Sequence, residues 1–185
     1  MWHLSLMWIA LVTPLIAHAA DPQSDEMVNN PPFAHWSSFP VGTRVTQKET
    51  VTLPDGAKLQ MVKTYKLLKK AKDKVVVEGK FTQTGAAGSN TTTSVDSYPA
   101  RVKRQEVDTP SSMASVTEGK ETVDVKGKPV EAEWVQAVVQ SGDEVFTEKV
   151  WTAQHIPGGI IKQTLVKKKG DKVVSESVLE MVEYK

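Results

Sequence analysis

The sequence predicts an all-β protein: one antiparallel meander sheet, curved into a half-barrel or barrel, of about nine or ten strands with little helix. Three observations carry that expectation. First, a hairpin signal recurs as Ala71-Lys72-Asp73-Lys74-Val75-Val76-Val77-Glu78, Ser141-Gly142-Asp143-Glu144-Val145-Phe146-Thr147-Glu148 and Lys169-Gly170-Asp171-Lys172-Val173-Val174-Ser175-Glu176. Each copy is a small polar turn with an Asp, a charged residue, then a β-branched or aromatic run closed by Glu. Asp bonds its own downstream backbone and tolerates tight-turn dihedrals, and β-branched residues fit a pleated, half-buried surface. Second, apolar residues alternate with polar ones, as in Leu59, Met61, Tyr65 and Leu67, with Lys63 the interruption. Third, no window beyond the N-terminal segment has a convincing helical period.

That N-terminal segment sets the expected compartment. Leu4 to Ala17 is an apolar run that ends in Ala17-His18-Ala19, an h-region followed by a small-residue cleavage signature. Residues 1–19 therefore read as a signal peptide cleaved after Ala19, although Met1-Trp2-His3 supplies no Lys or Arg. The expected location is secreted or periplasmic. No cysteine occurs in the chain, which removes disulfides, thiolate metal sites and Cys nucleophiles. Formal net charge is +1, with Lys and acidic residues interspersed, so a nucleic-acid surface is not expected. After cleavage, nothing left is long enough to span a membrane as a helix.

The rest divides into residues 20–40, a flexible leader with an aromatic plug, and residues 41–185, a single β domain. Ala20 to Asn30 is polar and without periodicity. Prolines at both ends of Pro31 to Pro40 limit any helix there to a turn or two. Phe33, Trp36 and Phe39 recur every third residue, so they share one side of such a turn, as a plug over an open end of the sheet or a lid over a cavity. Strands follow over Gly42 to Leu53, Lys58 to Leu68 and Val75 to Thr84, with Pro54-Asp55-Gly56 as a tight turn. Thr91 to Val107 is a weaker strand whose Pro99 marks an edge or bulge. Lys48-Glu49-Thr50-Val51 matches Lys120-Glu121-Thr122-Val123, which suggests that the meander of residues 42–84 recurs over 117–152. Further strands are expected over Glu131 to Gln140, Glu144 to Thr152, Ile160 to Lys168 and Val173 to Tyr184. Lysines crowd the turns at 66, 69, 70, 72, 74 and 167–169, where they blunt strand edges against edge-to-edge pairing.

Catalytic constellations are sparse. His35 and His155 are the only histidines after the signal segment and no acidic ligand cluster accompanies either. No G-x-S-x-G elbow or G-x-G-x-x-G turn supports a nucleophile or a phosphate cradle. Asp55, Asp73, Asp143 and Asp171 fall in turns, where backbone capping explains them. The expectation is a non-enzymatic protein with no cofactor and no metal.

The most informative stretch is Lys149 to Lys162, where Trp151 is followed by Ile156-Pro157-Gly158-Gly159-Ile160-Ile161-Lys162. The layout W-x4-[IV]-P-G-G-[IV]-[IV]-K resembles small secreted bacterial proteins of unknown function. It also resembles, more distantly, the half-barrel of the lipoprotein-carrier (outer-membrane lipoprotein localisation) superfamily. That resemblance implies a crossing between two strands of a curved sheet over Thr152 to Lys162. It covers Lys120 to Tyr184 well and Gly42 to Thr84 in pattern. The chain departs from the carriers in lacking their lid helices. Tyr65, Trp134, Phe146 and Trp151 are the candidate lining of an apolar groove for a lipid or peptide, or else are simply core. The partner expected is a hydrophobic small molecule or, for a structural envelope component pairing through a strand edge, another envelope protein.

Overall fold

A computed structural model describes residues 27–85, 88–103 and 113–185; the expected signal segment lies outside them. Nine strands form one antiparallel sheet: β2 (Arg44–Thr52), β3 (Lys58–Lys70), β4 (Lys74–Gly85), β5 (Gly88–Pro99), β7 (Met113–Val125), β8 (Lys128–Ser141), β9 (Glu144–Thr152), β10 (Ile160–Lys169) and β11 (Lys172–Tyr184). Their order is β5-β4-β3-β2-β11-β10-β9-β8-β7. The last strand thus lies at the centre, with one meander running outward from it and the other running inward to it. The predicted all-β antiparallel architecture is present, and the sheet is curled like a half-barrel without closing.

Turn chemistry explains the connections. Gly142-Asp143 and Gly170-Asp171 are two-residue turns with a positive φ at the glycine (62° and 57°), the arrangement that matches the right-handed twist of paired strands. At Lys126-Gly127 both residues are left-handed (52° and 77°), so Lys126 holds a conformation that non-glycine residues rarely adopt. In the β2–β3 turn the Ala57 N–H donates to Asp55 Oδ1 at 2.9 Å.

Three of the five register shifts in the described sheet lie at one end, the bulged end, and the other two, at Lys167/Lys168 and Met113/Ser115, at the opposite end. At the bulged end they fall at Leu67/Lys69 in β3, at Ile160/Lys162 in β10 and at Met181/Glu183 in β11. An extra residue bends a strand and tightens its twist. The edge strand β7 comes into contact with the central strand β11. The buried core is one continuous cluster that includes Val45, Leu67, Val75, Val77, Ile156, Ile161, Met181, Trp36 and Trp151.

One segment differs from the sequence-based expectation. The leader was expected to stay irregular to Asn30, yet Met27–Asn29 forms β1 and pairs with β6 (Arg101–Lys103). The partner lies about seventy residues away, which no local pattern reveals. The repeated tetrapeptide falls in the first strand of each meander, β2 and β7, two strands that run in opposite directions across the sheet. Glu49 stands on the same face as Val45 and Glu121 on the face of Trp134, opposite faces of the sheet by register.

Candidate functional site

The face that carries Val45, Leu67 and Val77, here the front face, is closed at the bulged end by α1 (Pro31–Ser37). Prolines at its first two positions suit a helix start, because their missing N–H groups have no partner there in any helix. Trp36 is 5% exposed within the core, and Phe33 and Phe39 pack against it. Lys70 Nζ donates to the Phe39 carbonyl at 2.8 Å. The three expected plug residues therefore lie together over one end of the sheet.

The Pro-Gly-Gly motif docks this helix. Gly158 (φ 75°) donates its N–H to the His35 carbonyl at 3.3 Å. A Cβ on Gly158 would lie 3.3 Å from the Trp36 ring, and one on Gly159 would enter the His35 imidazole. Both glycines are thus needed for two reasons, left-handed backbone and close approach. Sequence reading marked the motif without finding what it touches.

Burial holds His35 below its ordinary value of 6.5, so folding favours its neutral form. The unfolded chain then binds the extra proton first. Stability from this group is full above about pH 6.5 and is lost as pH falls through the lower folded value. Replacing His35 by Gln is expected to flatten the fall in melting temperature between about pH 7.5 and about pH 5.5 relative to wild type. Equal slopes for the two proteins would remove His35 as the cause. The variant comparison matters because Glu148, raised by burial against its bond from Gln163, contributes with the opposite sign.

Among the described residues no helix other than α1 lies on the front face. Direct cross-strand pairs run Leu59–Val51, Val51–Ser177, Ser177–Leu165, Leu165–Glu148 and Glu148–Ala137. Phe146 lies opposite Val139 on the same face. Leu59, Met61, Val51, Leu165, Phe146 and Val139 are all half-buried, and by register they share this face as a row of apolar positions interleaved with Ser177 and Glu148. A polar row crosses it. Lys63 Nζ lies 2.7 Å from Glu49 Oε2, Ser177 Oγ donates to Glu49 Oε1 at 2.6 Å, and Gln163 Nε2 donates to Glu148 Oε1 at 2.5 Å. Burial pushes Glu49 up, but its bonds from Lys63 and Ser177 outweigh that and leave it below the usual carboxylate range. Lys63, the break in the alternation, was the visible sign of this row.

Tyr65 and Phe146 belong to the front face; Trp134 and Trp151 do not. The two tryptophans are a direct cross-strand pair on the back face; with Tyr65 they belong to or pack against the continuous core, from which Phe146 is absent, so the four aromatics do not line one groove. The physical reason is parity: Phe146 and Trp151 are five residues apart in an unbroken strand, and side chains alternate faces. Tyr65 meets Phe81 edge-on at 5.8 Å. Burial, with Tyr98, Glu49 and Asp96 nearby, pushes its hydroxyl up to about 12.

On the back face the Lys149 ammonium sits 4.1 Å from the Trp134 ring and 4.4 Å from the Trp151 ring. Glu121 accepts from Trp151 Nε1 and lies 3.2 Å from Lys149 Nζ. Beside this cluster is an open, polar depression of about 490 Å³ lined by Lys120, Glu121, Glu131, Glu133 and Gln154 among others. A second depression, of about 440 Å³, lies between Phe33 and Lys70.

His155 is exposed in the β9–β10 connection. Among the described residues no three His, Asp or Glu side chains gather as a metal site, and no helix is long and apolar enough to cross a membrane.

No protein-family model matches the chain, and no curated protein does. It is similar in structure to a protein from Bacteroides fragilis assigned as exported, with a YmcC-like fold (12% identity, 79% of this chain and 96% of that one, TM-score 0.44). It is also similar to a protein assigned as a lipoprotein from Parabacteroides distasonis (10% identity, 83% and 98%, TM-score 0.47). A LolA superfamily protein from Nitrosomonas europaea is similar at lower agreement (10% identity, 85% and 93%, TM-score 0.26).

Proposed function

We propose that this is a non-catalytic protein of the periplasm or exterior that binds an elongated apolar molecule, of the acyl-chain kind, along its front-face apolar row. The observation that supports this reading is the row of half-buried Leu59, Met61, Val51, Leu165, Phe146 and Val139 on a curled face that α1 covers at only one end. A concave, mostly apolar surface crossed by a few placed polar groups is the usual form of a small-molecule site. The Glu49–Lys63–Ser177 and Glu148–Gln163 groups are the polar element, suited to orient a head group where they cross the apolar row. The apolar N-terminal run with its Ala17-His18-Ala19 signature supports export.

The test is native mass spectrometry with lipid extraction on protein purified from its own envelope, beside Phe146→Glu. Wild type is expected to carry a small apolar molecule. F146E, folded by circular dichroism, is expected to lose it and to bind a fluorescent fatty acid at least about tenfold more weakly, since a charge in an apolar site is costly to desolvate. An empty wild-type protein, or equal binding of the fatty acid by F146E, would sink the reading. A co-purifying peptide in place of a lipid would refute the acyl-chain assignment.

A further inference from the structure

We infer that the outer edge of β5 pairs with the same edge of a second copy of this chain, in antiparallel register about Thr93. This rests on the sheet edge and is independent of the front-face row.

Among the described residues β5 has a strand on one side only, β4. A bare edge presents a row of unpaired N–H and C=O groups, and proteins ordinarily blunt it with lysine, proline or a bulge. The lysines of this chain sit elsewhere. Gly88–Pro99 holds no lysine and a single charge, Asp96, and its only proline is the last residue. Its register with β4 runs through twelve pairs without a shift. The opposite edge, β7, carries Glu118, Lys120, Glu121 and Asp124 and has a register shift near its start. One edge is therefore guarded and the other is long, regular and nearly neutral. Val95, 61% exposed on β5, is the most exposed of the large hydrophobic side chains among the described residues.

Symmetry selects the occupant's register. A two-fold axis perpendicular to the sheet is the operation that exchanges two antiparallel edge strands, and it keeps front face with front face. Even-numbered residues of β5 must then meet even-numbered ones, because side chains alternate faces. The longest such register that leaves out Pro99, which has no N–H, is centred on Thr93. It pairs Thr93 with its own copy, Thr91 with Val95, and Asn90 with Asp96. Each Asp96 carboxylate thus meets an amide donor, and each exposed Val95 meets a β-branched neighbour, both favourable cross-strand pairs. The two Asp96 charges are six residues apart along the ladder, roughly 20 Å, beyond a Debye length of about 8 Å. Nothing in β5 repels a second β5.

Sedimentation velocity on the protein, with Thr93→Glu and Thr93→Lys, tests this. Thr93 lies opposite Lys80 of its own chain, so T93E keeps a favourable partner within the fold while placing like charges on the two-fold axis. Wild type is expected to sediment as a dimer at high concentration. T93E and T93K are each expected to raise the dimer dissociation constant by about tenfold or more, and an equimolar mixture of the two to restore the dimer. A monomeric wild type, alone or holding a different polypeptide on this edge, overturns the inference, as does a T93E dimer of unchanged strength. Failure of the mixture to recover overturns the register. Should either variant unfold, hydrogen exchange on wild type decides: amides in Ser89–Ser97 must gain protection with rising concentration, and constant protection refutes the pairing.

Discussion

Replacing Gly159 by Ala is expected to lower the unfolding free energy by about 2–5 kcal/mol, the sum of two penalties at one residue. The backbone is left-handed there (φ 77°), which costs a non-glycine residue roughly 1–2 kcal/mol. The added methyl would also sit 2.6 Å from Cε1 of the His35 ring, and overpacking of this kind costs roughly 1–3 kcal/mol more. Gly170 separates the two terms. It is likewise left-handed (φ 57°) but a Cβ there meets nothing within 4 Å, so Gly170→Ala carries the first penalty alone. Urea unfolding of both variants reads the difference directly. In the double variant His35→Ala/Gly159→Ala the steric part should vanish, giving a cost below the sum of the two single changes. Equal costs at Gly159 and Gly170 would mean that α1 does not rest on the β9–β10 connection.

The same contact shows how far the sequence could be read. Turns were legible because their chemistry is local: Gly142-Asp143, Gly170-Asp171 and Pro54-Asp55-Gly56 announce themselves within two or three residues. Strand bodies were legible from alternation, and β9 was expected over the span that it occupies, Glu144–Thr152. The side to which a strand presents its residues was not legible, because it depends on the register of pairs far apart in the chain. Five residues separate Phe146 from Trp151, and that odd number alone puts them on opposite faces. The docking of Trp36 and His35 on Gly158 and Gly159 joins segments more than a hundred residues apart, and β1 joins β6 across a similar silence. Lys63 was the exception, a local irregularity that pointed to the polar row on the front face.

Parity also sets the fate of Trp151. Substituting it with Ala is expected to cost about 3–5 kcal/mol, the range for a large aromatic removed from a packed site. The ring is 6% exposed in the continuous core. Directly opposite stands Trp134, whose own ring lies against Gly119, where any side chain would collide with it. An aromatic covering a glycine across a strand pair supports the pairing itself, so the collapse of one tryptophan loosens the hold of the other. The Lys149 ammonium, placed over both rings, would lose one of its two faces, and Glu121 would lose the indole N–H. Trp151→Phe retains most of the buried area and removes the donor, for which about 1–2 kcal/mol is expected. Thermal and urea unfolding of the two variants give the ratio. A cost near that of Phe for the Ala variant would mean that the tryptophan pair is a surface feature, free to contact a ligand. A cost severalfold larger makes the pair a staple of the β8–β9 hairpin, and leaves ligand binding to the opposite face, where Phe146 can be altered without dismantling the sheet.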